Sequence, residues 1–318
     1  MIAGRKSSLK RLAGSLAETA GELSAAIDRA LEARSPRSWE IGGGRRLDLT
    51  RPLIMGVLNL SPDSFYSGSR VADTAPAVRR AVEMASAGAD IIDFGGESTR
   101  PGAAPVDGEE EVRRVVPVVE AVAGELGESF PVSVDSYKAE TAAAALDAGA
   151  SIVNDIGAGL LDGGMLETVA RAGAGYVMMH MRGKPRTMQQ DTGYDDLLGE
   201  VHCFFSRGLD RCEAAGIGLE QVVLDPGIGF GKPPAGNYEL ILRLGEFLSL
   251  GRPLLIGASR KSFLKLAGQD EAEARLEGSL AACTVAVLAG AGIIRVHDVG
   301  PARRAVDAAS VFAGLSRA

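Results

Sequence analysis

Run after run of this chain ends in a polar residue, and the residue types suggest what they would hold. Asp135 and Asp225 each close a short apolar run. A carboxylate partly buried there needs a partner. It can accept from paired ring N–H and amino groups, or stabilise a developing positive charge. Asn154 adds a donor and an acceptor. Two Asp and one Asn suit an amino-pyrimidinone ring. Arg295 and His297 stand two apart at the end of the last run, so on a strand they point the same way. With Arg100, from a Gly/Pro-rich loop, they suit a phosphate or pyrophosphate. Taken singly, Arg295 also reads as a salt-bridge residue and His297 as a satisfied interior histidine. Asn59 precedes a Ser61-Pro62-Asp63 turn, where its amide oxygen could ligate Mg²⁺. In Ser259-Arg260-Lys261-Ser262, Lys261 could meet a ring and either serine an anion; the plain alternative is a basic helix start with a serine cap.

These positions are far apart in sequence, so a regular scaffold must gather them. Apolar runs at 53–59, 90–94, 131–135, 152–155, 176–180, 221–225, 253–257 and 292–296 alternate with helical patterns at 72–88, 108–128, 137–149, 163–173, 195–216, 236–249, 271–291 and 301–316. Such alternation means parallel strands joined by right-handed crossovers. Eight repeats predict one closed (β/α)8 barrel, a TIM barrel, over residues 46–318. In that fold the C-terminal strand ends form one cup, so Asn59, Asp135, Asn154-Asp155, His180, Asp225, Arg295 and His297 are all expected there. Residues 1–45 read as an N-terminal extension. An amphipathic helix over 7–34 carries Leu9, Leu12, Leu16, Leu23, Ile27 and Leu31, and a hairpin begins at 38–49, turning at Gly42-Gly43-Gly44. That hairpin is placed to plug the N-terminal mouth of the barrel.

Composition narrows the function. A formal charge of −7 and the lack of a basic cluster argue against nucleic acid and anionic lipid. No apolar run reaches the roughly 18 residues of a membrane span, and the N-terminal pattern lacks a signal-peptide core, so a cytoplasmic protein is expected. Cys203, Cys212 and Cys283 read as reduced thiols. No H-x-x-x-H or Cys/His cluster supports structural zinc. Gly227-Ile228-Gly229-Phe230-Gly231-Lys232 has neither Walker A spacing nor the dinucleotide fingerprint.

The motifs resemble those of the dihydropteroate synthase family. They are Ile54–Phe65, Gly88–Gly102, Val134-Asp135-Ser136-Tyr137-Lys138, Asn154-Asp155-Ile156, Met179-His180-Met181, Leu224–Lys232, Ser259-Arg260-Lys261-Ser262-Phe263 and Arg295-Val296-His297-Asp298, in the family's order from about residue 45 to the end. The resemblance implies condensation of a dihydropterin methyl pyrophosphate with p-aminobenzoate, releasing pyrophosphate. It implies that Asp135, Asn154, Asp225 and Lys261 grip the pterin, with Met179, Phe230 and Gly257 lining its pocket. Asn59, Thr99, Arg100, Arg295 and His297 would hold pyrophosphate and Mg²⁺, with Asn59 as the metal ligand. Phe65, Pro101, Lys261, Ser259 and Ser262 would frame p-aminobenzoate. Asp135, Lys261, Arg295 and His297 would carry the chemistry, and a homodimer is expected. The chain departs from the family at Tyr66-Ser67-Gly68-Ser69-Arg70, where a Ser/Asp-Gly-Gly loop is usual; an altered response to sulfonamide analogues of p-aminobenzoate is the corresponding expectation. A pterin-binding methyltransferase would share Asp135 and Asn154 but have no use for the Ser-Arg-Lys-Ser and Arg-x-His sites. A non-catalytic paralogue would have lost a site residue, and outside the first loop none is lost.

Overall fold

The computed structural model describes residues 36–60, 74–98, 105–265, 271 and 273–315. Helix 7–34, the 66–70 loop, and Phe65, Thr99, Arg100 and Pro101 lie outside them. A hairpin comes first, with β1 (Ser38–Ile41) antiparallel to β2 (Arg45–Asp48). Eight parallel strands follow: β3 (Leu53–Asn59), β4 (Ile91–Gly95), β5 (Val132–Asp135), β6 (Ile152–Asp155), β7 (Gly175–Met179), β8 (Val222–Asp225), β9 (Leu255–Ile256) and β10 (Ile293–Val296). They pair in the order β8-β7-β6-β5-β4-β3-β10-β9. A parallel bridge between Leu224 and Leu254, with Leu224 N donating to Pro253 O at 2.9 Å, closes β8 onto β9. The barrel expected from the sequence is the fold observed.

Each barrel strand is followed by a helix: α1 (Ala75–Ser86), α2 (Gly108–Leu126), α3 (Ala139–Asp147), α4 (Met165–Ala172), α5 (Leu197–Ala214), α6 (Pro234–Leu242), α7 (Leu276–Leu288) and α8 (Val299–Leu315). Asp107 caps α2 by accepting from Glu110 N at 2.8 Å, and Asp196 caps α5 by accepting from Gly199 N at 3.0 Å. Most elements are shorter than their patterns, and two of them show why. The run 253–257 yields only Leu255–Ile256, because Pro253 has no N–H to give a ladder. The pattern at 236–249 splits into α6 and a 3₁₀ segment, Leu244–Leu250, which ends at Gly251 in the left-handed conformation. Among the described residues no helix is long and apolar enough to cross a membrane.

The strands are buried on both faces, and alternation sorts their side chains into two cores. Ile54, Leu58, Ile92, Phe94, Val153, Tyr176, Leu224 and Ile294 pack outward against the helices. Met55, Ile91, Ile152, Val177, Val223, Leu255 and Ile293 point inward. The hairpin completes that inner core. Trp39 and Ile41 are buried within it, and Trp39 Nε1 donates to Gln221 O at 2.7 Å. Gly175 opens β7 beneath them; a Cβ there would lie 2.8 Å from Ile41 Cγ2, so glycine lets the plug seat. The N-terminal half of the barrel is therefore sealed by apolar side chains, and polar chemistry is confined to the other end.

Trp39→Ala tests the plug. Truncating a buried tryptophan costs about 3–5 kcal/mol, so denaturant unfolding should show a loss of that size. Turnover by the folded variant should stay near wild type, since the site lies at the far end.

Candidate active site

The inward positions one step above the apolar layer are polar. Continuing the inward alternation from Ile91 gives Asp93, from Ile152 Asn154, from Val223 Asp225, and from Ile293 Arg295. Ser133 and Asp135 join them from β5. Asp93 is fully buried and accepts from Ser133 Oγ at 2.6 Å, Asn154 Nδ2 at 3.0 Å and Arg295 Nε at 2.6 Å. Arg295 Nη2 also donates to Asp135 Oδ2. Burial works against the Arg295 charge, but Asp93 and Asp135 outweigh it and hold the guanidinium above its ordinary range. Burial raises the Asp135 carboxyl, and Arg295 offsets only part of that rise.

Asp225 is seated differently. Its Oδ1 accepts from Gly227 N at 2.7 Å. Burial raises it, opposed by Lys261, the Gly227 N–H, Arg295 and Lys232. Lys261 Nζ donates to Ile228 O and sits 4.5 Å from the centre of the Phe230 ring. Burial pulls Lys261 down to about 8, against the pull of Asp225. Among the described residues, Asp135 Oδ1 and Asp225 Oδ2 have no hydrogen-bond donor, so each carboxylate keeps one oxygen for a ligand. Met179 and Gly257 are buried at the ends of β7 and β9, and Gly257 lies beside Arg295.

The anion side is only partly within the described residues. His297 Nδ1 lies 3.2 Å from Ser259 Oγ, which also accepts from His297 N at 3.3 Å. Ser259 is thus committed to His297, whereas Ser262 is exposed at the start of a 3₁₀ turn. Arg260 turns away and pairs with Asp298. Asn59 is exposed at the end of β3. Its Oδ1 and Asp135 Oδ2 would each lie 3.7 Å from a Cβ placed on Gly95, which puts the two side chains at one rim.

Two strand-end residues expected in the cup are not there. Asp155 follows inward Asn154 and therefore faces outward; it accepts from Gly157 N, Gly159 N and Tyr176 OH at 2.6–2.8 Å. His180 is buried in the wall, 3.0 Å through Nδ1 from Lys232 Nζ and edge-on to Phe204. Conversely, Asp93 and Lys232 were not among the residues expected from sequence. Asp93 sits within an apolar run, where counting by twos from Ile91 would have turned it inward. Lys232 sits in a glycine-rich segment that matches no phosphate motif.

Known proteins resolve the assignment. A family model described as pterin binding enzyme matches residues 55–297. The chain belongs to the dihydropteroate synthase family. It is 48% identical to the dihydropteroate synthase of Escherichia coli K12 over 256 residues, covering 80% of this chain and 90% of that one. It is 44% identical to that of Synechocystis over 250 residues, 78% and 86% of the two chains. Among solved structures, Yersinia pestis dihydropteroate synthase in complex with a sulfonamide drug aligns with a TM-score of 0.79 at 44% identity, covering 85% of this chain and 98% of that one. The Xanthomonas albilineans enzyme with 4-aminobenzoic acid also gives 0.79, at 40% identity, covering 89% and 100%.

Burial, with Arg295 and Arg260 beside it, pulls the His297 imidazole down to about 4. In the ligand-free protein its NMR titration should therefore centre near pH 4, and pyrophosphate should raise it. The unfolded chain takes this proton first, at about pH 6.5. The stability that neutral His297 contributes is therefore complete above that pH and lost as pH falls toward 4. An ordinary histidine midpoint without ligand would contradict the buried placement.

Proposed function

We propose that the chain joins 6-hydroxymethyl-7,8-dihydropterin pyrophosphate to p-aminobenzoate, giving 7,8-dihydropteroate and pyrophosphate. The observation that carries this reading is the shared cup: two carboxylates, each with one oxygen left over, face the same space as Asn154, Lys261 and an Arg295 fixed by two acids. The chain is a transferase with no need of a nucleophilic side chain. The bond from the pterin methylene to the pyrophosphate oxygen breaks, and the bond from the arylamine nitrogen to that carbon forms. The amine proton departs to solvent. Asp135 and Asp225 take the ring N–H and amino donors through Oδ1 and Oδ2, and the negative charge of Asp135 stabilises the cation that develops on the methylene. Lys261 leaves Ile228 O for the ring carbonyl, over the Phe230 face. Arg295 and His297 hold the departing pyrophosphate with Thr99 and Arg100. Phe65, Pro101 and Ser262 frame p-aminobenzoate beside Lys261, while Ser259 holds His297.

Asn59 fits a role as the one protein ligand of Mg²⁺. Among the described residues no cluster of three or more acidic, His or Cys side chains could cage a metal, but Mg²⁺ commonly takes one or two protein oxygens beside phosphates and water. Bound there, it would supply positive charge to the pyrophosphate. We further propose that the protein works as a homodimer. Exposed Leu288 on α7 and Val311 and Phe312 on the neighbouring α8 form apolar surface suited to a second copy. Its three free cysteines accord with the reducing cytoplasm.

The test is pyrophosphate release from dihydropterin pyrophosphate and Mg²⁺, with and without p-aminobenzoate. Release should depend on p-aminobenzoate and fall by about a hundredfold or more in Lys261→Ala and Arg295→Ala. Pterin binding without release would point instead to a non-catalytic pterin-binding protein.

A further inference from the structure

Lys232 is a lysine almost sealed from solvent, 3% exposed, and lies behind the ligand-facing residues. Its Nζ lies 2.9 Å from Gly227 O, 3.0 Å from Phe230 O, 3.2 Å from His180 O and 3.0 Å from His180 Nδ1. Three carbonyl acceptors call for three N–H donors, which only the ammonium form provides. These contacts close a ring. His180 N donates to Asp225 O at 2.9 Å, and Gly227 N donates to Asp225 Oδ1 at 2.7 Å. Lys232 then holds Gly227 and His180 by their carbonyls. Gly227 is thus clamped from both sides, with φ +67°, and a Cβ there would meet His180 O at 2.0 Å. Glycine is the residue that permits so close an approach.

The loop tied by this ring carries the pterin side of the cup. Asp225 precedes it, Ile228 O receives Lys261, and the Phe230 ring lies under the Lys261 ammonium. We propose that Lys232 is a positioning residue: its ammonium, bound to His180, Gly227 and Phe230, fixes the aim of Asp225 and the seat of Phe230, and so sets affinity for the pterin ring. This rests on the synthase reading and deepens it. Lys232 acts through other residues, and none of its hydrogen bonds reaches Arg295 or His297. Losing it should therefore separate the two ligands.

The experiment is calorimetric titration of the full chain with 6-hydroxymethylpterin and, separately, with inorganic pyrophosphate plus Mg²⁺. Lys232→Met keeps the length of the side chain and removes every donor. Lys232→Gln keeps two donors without charge and provides a milder variant if the first does not fold. Pterin affinity should fall about tenfold or more in Lys232→Met and less in Lys232→Gln. Pyrophosphate affinity should stay within about twofold, because its ligands are untouched. Unchanged pterin affinity in the variants overturns the inference alone. Equal weakening of both ligands also overturns it, since that is general damage. A wild-type chain that binds no pterin overturns the synthase reading, and this inference with it.

Discussion

A carboxylate with no exposed surface inside a barrel must be surrounded by donors, and Asp93 organises the cup by that requirement. Ser133, Asn154 and Arg295 all converge on it, from β5, β6 and β10. Leaving a buried charge without its partner costs roughly 3–5 kcal/mol, so the three donors are held to one arrangement. Arg295 is the consequential one. Its guanidinium has a fixed fork; with Nε on Asp93 and Nη2 on Asp135, the direction of its remaining donors is set before any ligand arrives. An anion site built this way needs little rearrangement on binding.

The same economy appears across the cup. Asp93, Asp135 and Asp225 stand against Arg295, Lys261 and Lys232, with each carboxylate in the Coulombic reach of a cation. Below them the inner core is closed by the Trp39 hairpin, which keeps water from reaching the charges from the N-terminal end. A low-dielectric floor under a balanced charge layer strengthens every contact made to a ligand above it. The site thus stands above a floor whose own residues carry no chemistry.

Much of this was legible in the sequence. The barrel was, because parallel strands buried on both faces leave unmistakable apolar runs, and α2 and α5 begin at Asp caps that the helical patterns place within two residues. Asp135, Asn154, Asp225 and Arg295 were legible as polar ends of those runs. Side-chain direction was less so. In a run that is apolar throughout, alternation has no visible phase, so Asp93 passed as part of a strand and Asp155 passed as a site residue. The phase becomes visible only once the neighbours are placed: Ile91 inward makes Asp93 inward, and Val153 outward makes Asp155 outward. Lys232 escaped for another reason. Its role is made of carbonyl contacts from two different loops, and backbone carbonyls leave no mark in composition or spacing. The cup also borrows from contacts distant in the chain, such as Arg295 with Asp93, which no local pattern encodes.

The most direct measurement is the steady-state kcat/KM of Asp93→Asn for dihydropterin pyrophosphate, alongside its thermal unfolding. Asparagine keeps the shape and an acceptor but removes the charge that fixes Arg295. A fall of about a hundredfold in a variant that still folds is the predicted result, since Asp93 acts only by aiming groups that touch the substrate. A variant that folds and turns over at the wild-type rate would contradict the account, because Arg295 would then need no buried carboxylate to hold it.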